Sequence, residues 1–305
     1  QTIISFIKSK KFDLEKLKCI VSRGGLTKPV ESGVYSINED MLSDLKREQL
    51  GEHASNLGPL IAYSIASNLK IPSYVVDPVV VDELDEIAKI SGIKSMPRVS
   101  IFHALNHKAV SKNIAKQLNK SYEDCNFVVA HMGGGISIAA HKKGRVVDVN
   151  NAFDGEGPFS PERSGTLSFG AVIDFCIKNR HLAKKDIIKN FIGHGGLVSY
   201  FNSNSGLEVE KMMQNGNKEA ELVVKAMAYN VAKSIVANLV ILKGNCDAII
   251  LTGGLIKWDY FVKEVIANIS WLNIPIKTIA GEQEMKALAS GALRILNNVE
   301  QAKNY

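Results

Sequence analysis

Residues 128–165 read VVAHMGGGISIAAHKKGRVVDVNNAFDGEGPFSPERSG. The stretch starts as a continuous apolar strand, breaks at Gly133, Gly134 and Gly135, and resumes as an alternating, β-branched strand, ISIAAH. Rossmann and P-loop phosphate sites put their glycines between a strand and a helix; here both flanks are strands. Two readings stand at this point. Three glycines reverse a hairpin at no steric cost, and three successive amides without side chains let an anion such as phosphate approach the backbone. RVVDVNNA follows KKG as a third strand, so the segment predicts an antiparallel meander. The loop GEGPFSPERSG then sets Arg163 among turn residues.

Outward from the meander, AVIDFCIKN and segments near 208–214 and 217–242 predict helices, and DAIILTGG predicts a strand ending in Gly253-Gly254. The carboxyl end of a strand is where α/β sheets bind ligands. IPIKTIA is a further strand, and EMKALASGALRILNN a last helix with Met285, Leu288, Ala292, Ile295 and Leu296 on one face. Upstream lie a polar helix-like start, the strand LKCIVS, the loop RGGLTKP and a polar stretch to Gln49. After them come the helix HASNLGPLIAYSIASNLK, the strand SYVVDPVVV, which Pro78 ends or confines to an edge, and helices over ELDEIAKISG and IFHALNHKAVSKNIAKQLN. A meander followed by alternating helices and strands is an α/β pattern. The change of character near Cys125 predicts two α/β lobes: residues 1–124 with 284–305, and residues 125–283.

Hydrophobic residues make up 46% of the 305 and charged residues 22%, the composition of a globular protein. The net charge of +6 is spread along the chain, and its short basic spots lack interleaved aromatics, which gives nucleic-acid binding only weak support; an anionic small substrate fits this balance equally well. Cys19, Cys125, Cys176 and Cys246 have no zinc or redox spacing, so the expectation is buried, reduced thiols in a cytoplasmic protein. No secretory apolar region follows the start. VVKAMAYNVAKSIVANLVIL carries Lys225, Asn230, Lys233 and Asn238 and reads as a buried helix, with no membrane partner.

The chain resembles the acetate and butyrate kinase family of the sugar-kinase, heat-shock-70 and actin superfamily, closest to its butyrate and branched-chain fatty-acid kinase branch. SRGGLTKPVESGVY, EHASNLGPLIAY, VVDPVVVDEL, ISGI, SIFHALNHKAV, the whole stretch from VVAHMGGG to SPERSG, AMAYNVAKSI, IILTGGL and GEQEMKALASGALRIL carry the resemblance, over nearly the full length. It implies two actin-like, ribonuclease H-like lobes with a nucleotide cleft between them. It also implies phosphoryl transfer from ATP to a short-chain carboxylate, giving an acyl phosphate and ADP, with Mg²⁺ as cofactor and a homodimer or larger homo-oligomer as the assembly. Butyrate is the implied acceptor. A branched-chain acid, propionate or acetate are alternatives, and so is an actin-like protein that binds nucleotide without transferring anything.

By the resemblance, Gly133, Gly134 and Gly135 form a phosphate-binding hairpin and Gly253 and Gly254 an adenosine-binding turn. His131 and Arg163 match residues that contact the transferring phosphoryl group. Arg23 lies close to a substrate-contacting Arg, and Glu284 near a magnesium-associated Glu. There are departures. Where acetate kinases carry an Asp after a Phe, this chain has Phe102-His103, and Asp77 is the carboxylate nearby; His107 aligns with a His of the acetate enzymes. The family begins with a strand ending in an Asn-Pro-Gly-Ser-Thr turn that holds phosphate; this sequence starts at Gln1 without it, so further residues before Gln1 are expected.

Of the other histidines, His103 and His107 sit four apart on one helix face, as zinc ligands can, but no third ligand is evident; they are expected to line the cleft or pack. His141, before KKG, is expected in a solvated turn, and His194 in a loop.

Overall fold

The computed structural model describes residues 2–47, 54–281 and 283–305. By internal contact the chain divides into two compact units, 1–82 with 283–305, and 83–282.

The first unit carries a three-stranded sheet of β1 (Ile20–Ser22), β2 (Val34–Ser36) and β3 (Ser73–Val76) in the order β1-β3-β2, with β1 parallel and β2 antiparallel to β3. β3 stops just before Asp77-Pro78, since proline has no N–H for the ladder. The unit's helices are α1 (Thr2–Ser9), α2 (Glu39–Arg47), α3 (Leu57–Leu69) and α12 (Glu284–Leu296). Met41, Leu42 and Leu45 of α2 pack with Tyr35, Ala62 and Val75 into its core. The expected helix start at His53 lies outside the described residues, as do Glu52 and Glu282 of the family-like segments.

The last helix returns to the first unit, as its apolar face suggested, but the buried residues are Ala287, Leu288, Gly291 and Ala292. Met285 is 80% exposed and Leu296 is also exposed. The reason is close approach: a Cβ on Gly291 would stand 2.6 Å from Val76 Cγ2, so the helix lies on β3 through its smallest residues.

The second unit is built on β4 (Asn126–Met132), β5 (Ile136–Lys142), β6 (Arg145–Val149), β7 (Ala248–Gly253) and β8 (Ile276–Ala280), in the order β6-β5-β4-β7-β8. β4, β5 and β6 form the expected antiparallel meander, and β7 and β8 add in parallel. The helices are α4 (Glu86–Lys89), α5 (Ala104–Gln117), α6 (Phe169–Lys178), α7 (Lys184–Phe191), α8 (Leu197–Phe201), α9 (Gly206–Gln214), α10 (Lys218–Ile241) and α11 (Asp259–Ile269).

Alternation along β4 sends its side chains two ways. Val128, Ala130 and Met132 face the core made with α10 and α11, while Phe127 and Val129 face Val110, Ile114 and Ala115 of α5. Residues 83–124 therefore pack with the second unit, where the sequence assigned them to the first: the change near Cys125 marks the start of β4, already covered by the helix before it. α10 is long and apolar enough to cross a membrane by length and composition alone. Its face from Ala220 to Leu239 is nonetheless part of the core, as expected of a buried helix.

Candidate active site

The glycine turn and the second glycine pair come together because β4 and β7 are parallel neighbours. His131 stands opposite Thr252 in the ladder, so both strands end side by side. Gly133 N–H donates to Gly135 O at 3.1 Å and closes the hairpin. The expectation of three anion-facing amides fails at Gly133, whose N–H is used inside the hairpin. The amides of Gly134 and Gly135 make no hydrogen bond to the described residues, and Gly134 is exposed. Gly253 has φ +98°, and a Cβ there would collide with the Met132 carbonyl. Its glycine is required by packing of the strand ends. Gly254 has open space around its Cα.

The loop after the meander folds back on the turn. Buried Ser160 donates its hydroxyl to Gly134 O and accepts from Arg163 N–H at 3.2 Å. Arg163 donates from Nη1 to Ala152 O, and its guanidinium lies directly on Gly135: a Cβ on that glycine would sit 2.6 Å from Arg163 Cζ. Burial lowers the pKa of Arg163, opposed by the charges of Glu162 and Asp154. Arginine remains a cation at neutral pH regardless. The arginine read from sequence as a turn residue is therefore a fixed, half-buried cation against the hairpin. Glu162 stands beside Gly134 and is held by Asn204 at 2.6 Å.

His131 is buried at the end of β4, its ring stacked on His103 with centroids 3.8 Å apart. Its Nδ1 lies 3.0 Å from the Asn106 carboxamide oxygen, while the Asn106 amide nitrogen is buried with no hydrogen-bond partner among the described residues. The two ends of a carboxamide exchange by a half-turn of χ2. With the oxygen toward His131 the ring donates from Nδ1, and with the NH₂ toward it Nδ1 accepts.

Beneath this pair runs a polar seam between α5 and β5. His103, His107 and Ser111 recur every four residues on α5, and Ser137 and His141 lie on one face of β5. His103 Nδ1 and His107 Nε2 both lie 2.9 Å from Ser137 Oγ. His107 Nδ1 is 3.2 Å from His141 Nε2, and His141 Nδ1 is 2.7 Å from the Tyr122 hydroxyl. His107 and His141 are held well below the ordinary imidazole pKa, first by burial and then by neighbouring positive charge, so both are neutral. The solvated turn expected for His141 is corrected: it is wholly buried, because the turn begins only at Lys143-Gly144. His194 is an exposed loop residue, as expected.

Arg23, Asp77 and Glu284 belong to the first unit. Gly24 lets the backbone beside Arg23 lie against the Pro78 ring, where a Cβ would collide. Arg23 pairs with Glu284 at 3.2 Å. Asp77, buried and at φ +39°, accepts from Gly33 N–H at 2.8 Å and so ties down the residue preceding β2. Among the described residues, no three His, Cys, Asp or Glu side chains converge on a metal position. A Mg²⁺ that arrives on nucleotide phosphates needs only one or two carboxylates. All four cysteines are free thiols; Cys125 is buried and the other three half-buried, short of the full burial expected.

The fold is similar to that of the acetate kinase of Porphyromonas gingivalis, with a TM-score of 0.83 at 20% identity, covering 97% of this chain and 83% of that one. It is also similar to a propionate kinase from Francisella tularensis subsp. tularensis SCHU S4, at TM-score 0.79 and 20% identity over 94% and 82% of the two chains. The acetate kinase of Entamoeba histolytica matches at TM-score 0.79 and 14% identity over 97% and 83%. This is the actin-like ATPase fold, and the class is that of carboxylate kinases, phosphotransferases with a carboxyl group as acceptor. The chain belongs to the acetokinase family, whose pattern matches residues 86–290.

Proposed function

We propose that the chain is a short-chain carboxylate kinase that transfers the γ-phosphoryl group of ATP reversibly to butyrate, giving butyryl phosphate and ADP. The observation that carries the reading is the seating of the Arg163 guanidinium on Gly135, beside the amides of Gly134 and Gly135. Cation and N–H donors meet at the carboxyl ends of parallel strands, where a phosphate group is well held.

The acceptor explains why no general base is needed. A carboxylic acid with a pKa of roughly 4–5 is ionised at neutral pH. One carboxylate oxygen attacks Pγ as the bond to the β–γ bridging oxygen breaks, and the electron pair leaves on ADP. The obstacle is charge, an anion approaching a polyanion, so the residues required are those that stabilise negative charge in the transition state. Arg163 binds equatorial oxygens, His131 donates a hydrogen bond, and Arg23 orients the carboxylate. Gly134 and Gly135, in the turn that the Gly133 N–H closes, hold phosphate, Gly253-Gly254 border the adenosine, and Asp77, His103 and His107 belong to the acyl side. Glu284 would help to hold a Mg²⁺ brought by the nucleotide, and the ion would neutralise phosphate charge there.

The DGEGPFSPERSG and DPVVV segments support butyrate. Acetate and propionate, the acceptors in the names of the similar structures, fit the same chemistry equally. Acyl-hydroxamate formation with ATP and a series from acetate to branched-chain acids tests the reading. A butyrate maximum in kcat/KM supports it, and a maximum at acetate or propionate moves the substrate but keeps the class. Nucleotide binding without any hydroxamate would leave an actin-like binding protein. A homodimer is the proposed assembly, with the exposed Phe169, Ile173 and Ile177 of α6 as its apolar surface.

A further inference from the structure

The seam between α5 and β5 contains more ionisable groups than the phosphoryl transfer uses. His107, His141 and Ser137 are buried to within 1% of full enclosure, and Tyr122 nearly so, yet every contact among them is of hydrogen-bond length. Each of the two inner histidines is bonded at both ring nitrogens. A neutral imidazole donates from one nitrogen and accepts at the other. Once the direction of one bond in such a chain is set, all the others follow.

Two observations set it. The Lys108 ammonium lies 5.4 Å from the Tyr122 ring centroid, fixed by Glu83 at 2.6 Å and the Gly144 carbonyl at 2.9 Å. A cation near the ring makes the phenol a stronger acid, and a phenol donates to an imidazole nitrogen, the stronger base, so its O–H points to His141 Nδ1. That contact is the shortest in the chain, 2.7 Å, against 3.3 Å from the same nitrogen to Ser111 Oγ. At the other end, His103 is half-exposed and stacked on His131, beside the anion-facing turn, where a donor is wanted. The order is then complete: Tyr122 O–H to His141 Nδ1, His141 Nε2–H to His107 Nδ1, His107 Nε2–H to Ser137 Oγ, and Ser137 O–H to His103 Nδ1.

We propose that Tyr122, His141, His107 and Ser137 form a hydrogen-bond relay that fixes His103 as its Nε2–H tautomer, presenting a donor to the anionic substrate. Tyr122 and His141 are thereby positioning residues for the phosphoryl site. The activity consequence rests on the carboxylate kinase reading; the tautomers do not.

The test uses ¹⁵N-histidine-labelled full-length chain at pH 7.5, without substrate. Two-bond ¹H–¹⁵N spectra are expected to show His103, His107 and His141 all as Nε2–H, with a coupling across the hydrogen bond between His141 Nε2 and His107 Nδ1. Any one of the three found as Nδ1–H overturns the relay, and this measurement needs no variant to fold. In Tyr122→Phe the ring stays and the first donor is lost. His103 is expected to become a tautomer mixture, and kcat to fall about tenfold at unchanged KM for ATP, as for one buried hydrogen bond. Ser111→Ala, off the main line, is expected to leave all three tautomers in place. An unchanged His103 signal in folded Tyr122→Phe also overturns the proposal. Tautomers as drawn in a chain without carboxylate kinase activity would leave the relay standing and remove the functional reading instead.

Discussion

Gly135→Ala tests the junction on which the proposed chemistry rests. The new methyl carbon would stand 2.6 Å from Arg163 Cζ and 3.2 Å from Nε, whereas ordinary contact begins near 3.4 Å. The guanidinium carbon must retreat by about 1 Å, and its bond to the Ala152 carbonyl is lost with it. The obstruction is the end of a flexible side chain, and Gly135 does not occupy the left-handed region, so the hairpin can keep its shape. A misplacement of about 1 Å at a reacting centre costs on the order of 10²-fold in rate, about 2.7 kcal/mol. Outright loss of a transition-state arginine costs about 10³–10⁵-fold. Gly135→Ala is therefore expected to lower kcat by at least two decades with little change in melting temperature, and Arg163→Ala by more. Arg163→Lys should recover little of it, because an ammonium lacks the planar fork. The double variant should be no worse than Arg163→Ala alone, since both changes remove one interaction. Gly134→Ala is the comparison: its methyl meets Glu162 Oε2 at 3.2 Å, leaves Arg163 in place, and should act on the KM for ATP. The assay is acyl-hydroxamate formation alongside thermal unfolding. Wild-type kcat in folded Gly135→Ala, or additive losses in the double variant, would refute the placement of Arg163 in the transition state.

Gly253→Ala combines φ +98° with a collision on a backbone carbonyl that cannot rotate away, and should destabilise the second unit by about 1–3 kcal/mol or more. Gly254→Ala, with open space around it, should leave urea unfolding unchanged, and equal losses in the two would refute the packing argument. Lys108→Met removes the cation beside buried Glu83, whose carboxylate also accepts from Val146 N–H, and should cost about 3–5 kcal/mol in urea unfolding, part of it recovered by adding Glu83→Leu. Acid should weaken the fold through His107 and His141. Their native pKa values lie below the unfolded value of 6.5, so this contribution is fully present above pH 6.5. It falls by up to about 1.4 kcal/mol per pH unit for each histidine as pH drops toward the native pKa. Urea midpoints from pH 7.5 to 5 check this, and His141→Gln should reduce the slope; an identical slope in that variant would count against it.

The meander, α5, α10 and β7 were legible because each is long and strictly periodic, and because GGG followed by ISIAAH excludes a strand-to-helix turn. β2 and α2 were lost in the polar stretch before Gln49, being three and nine residues long. α11 was missed although Phe261, Val262, Val265 and Ile269 hold helical spacing. His141 was misread from the KKG that follows, where the period-two match to Ser137 on one strand face was the better guide. Local pattern determined the elements and the glycine turns, because backbone sterics and hydrophobic periodicity act over a few residues. Tertiary structure decided that Arg163 lies on Gly135, that β4 and β7 end together, and that Tyr122, His141 and His107 form one seam. Those contacts join residues from 19 to more than 100 positions apart in the chain. They depend on strand register and on which helix covers which sheet face, and no local pattern encodes either.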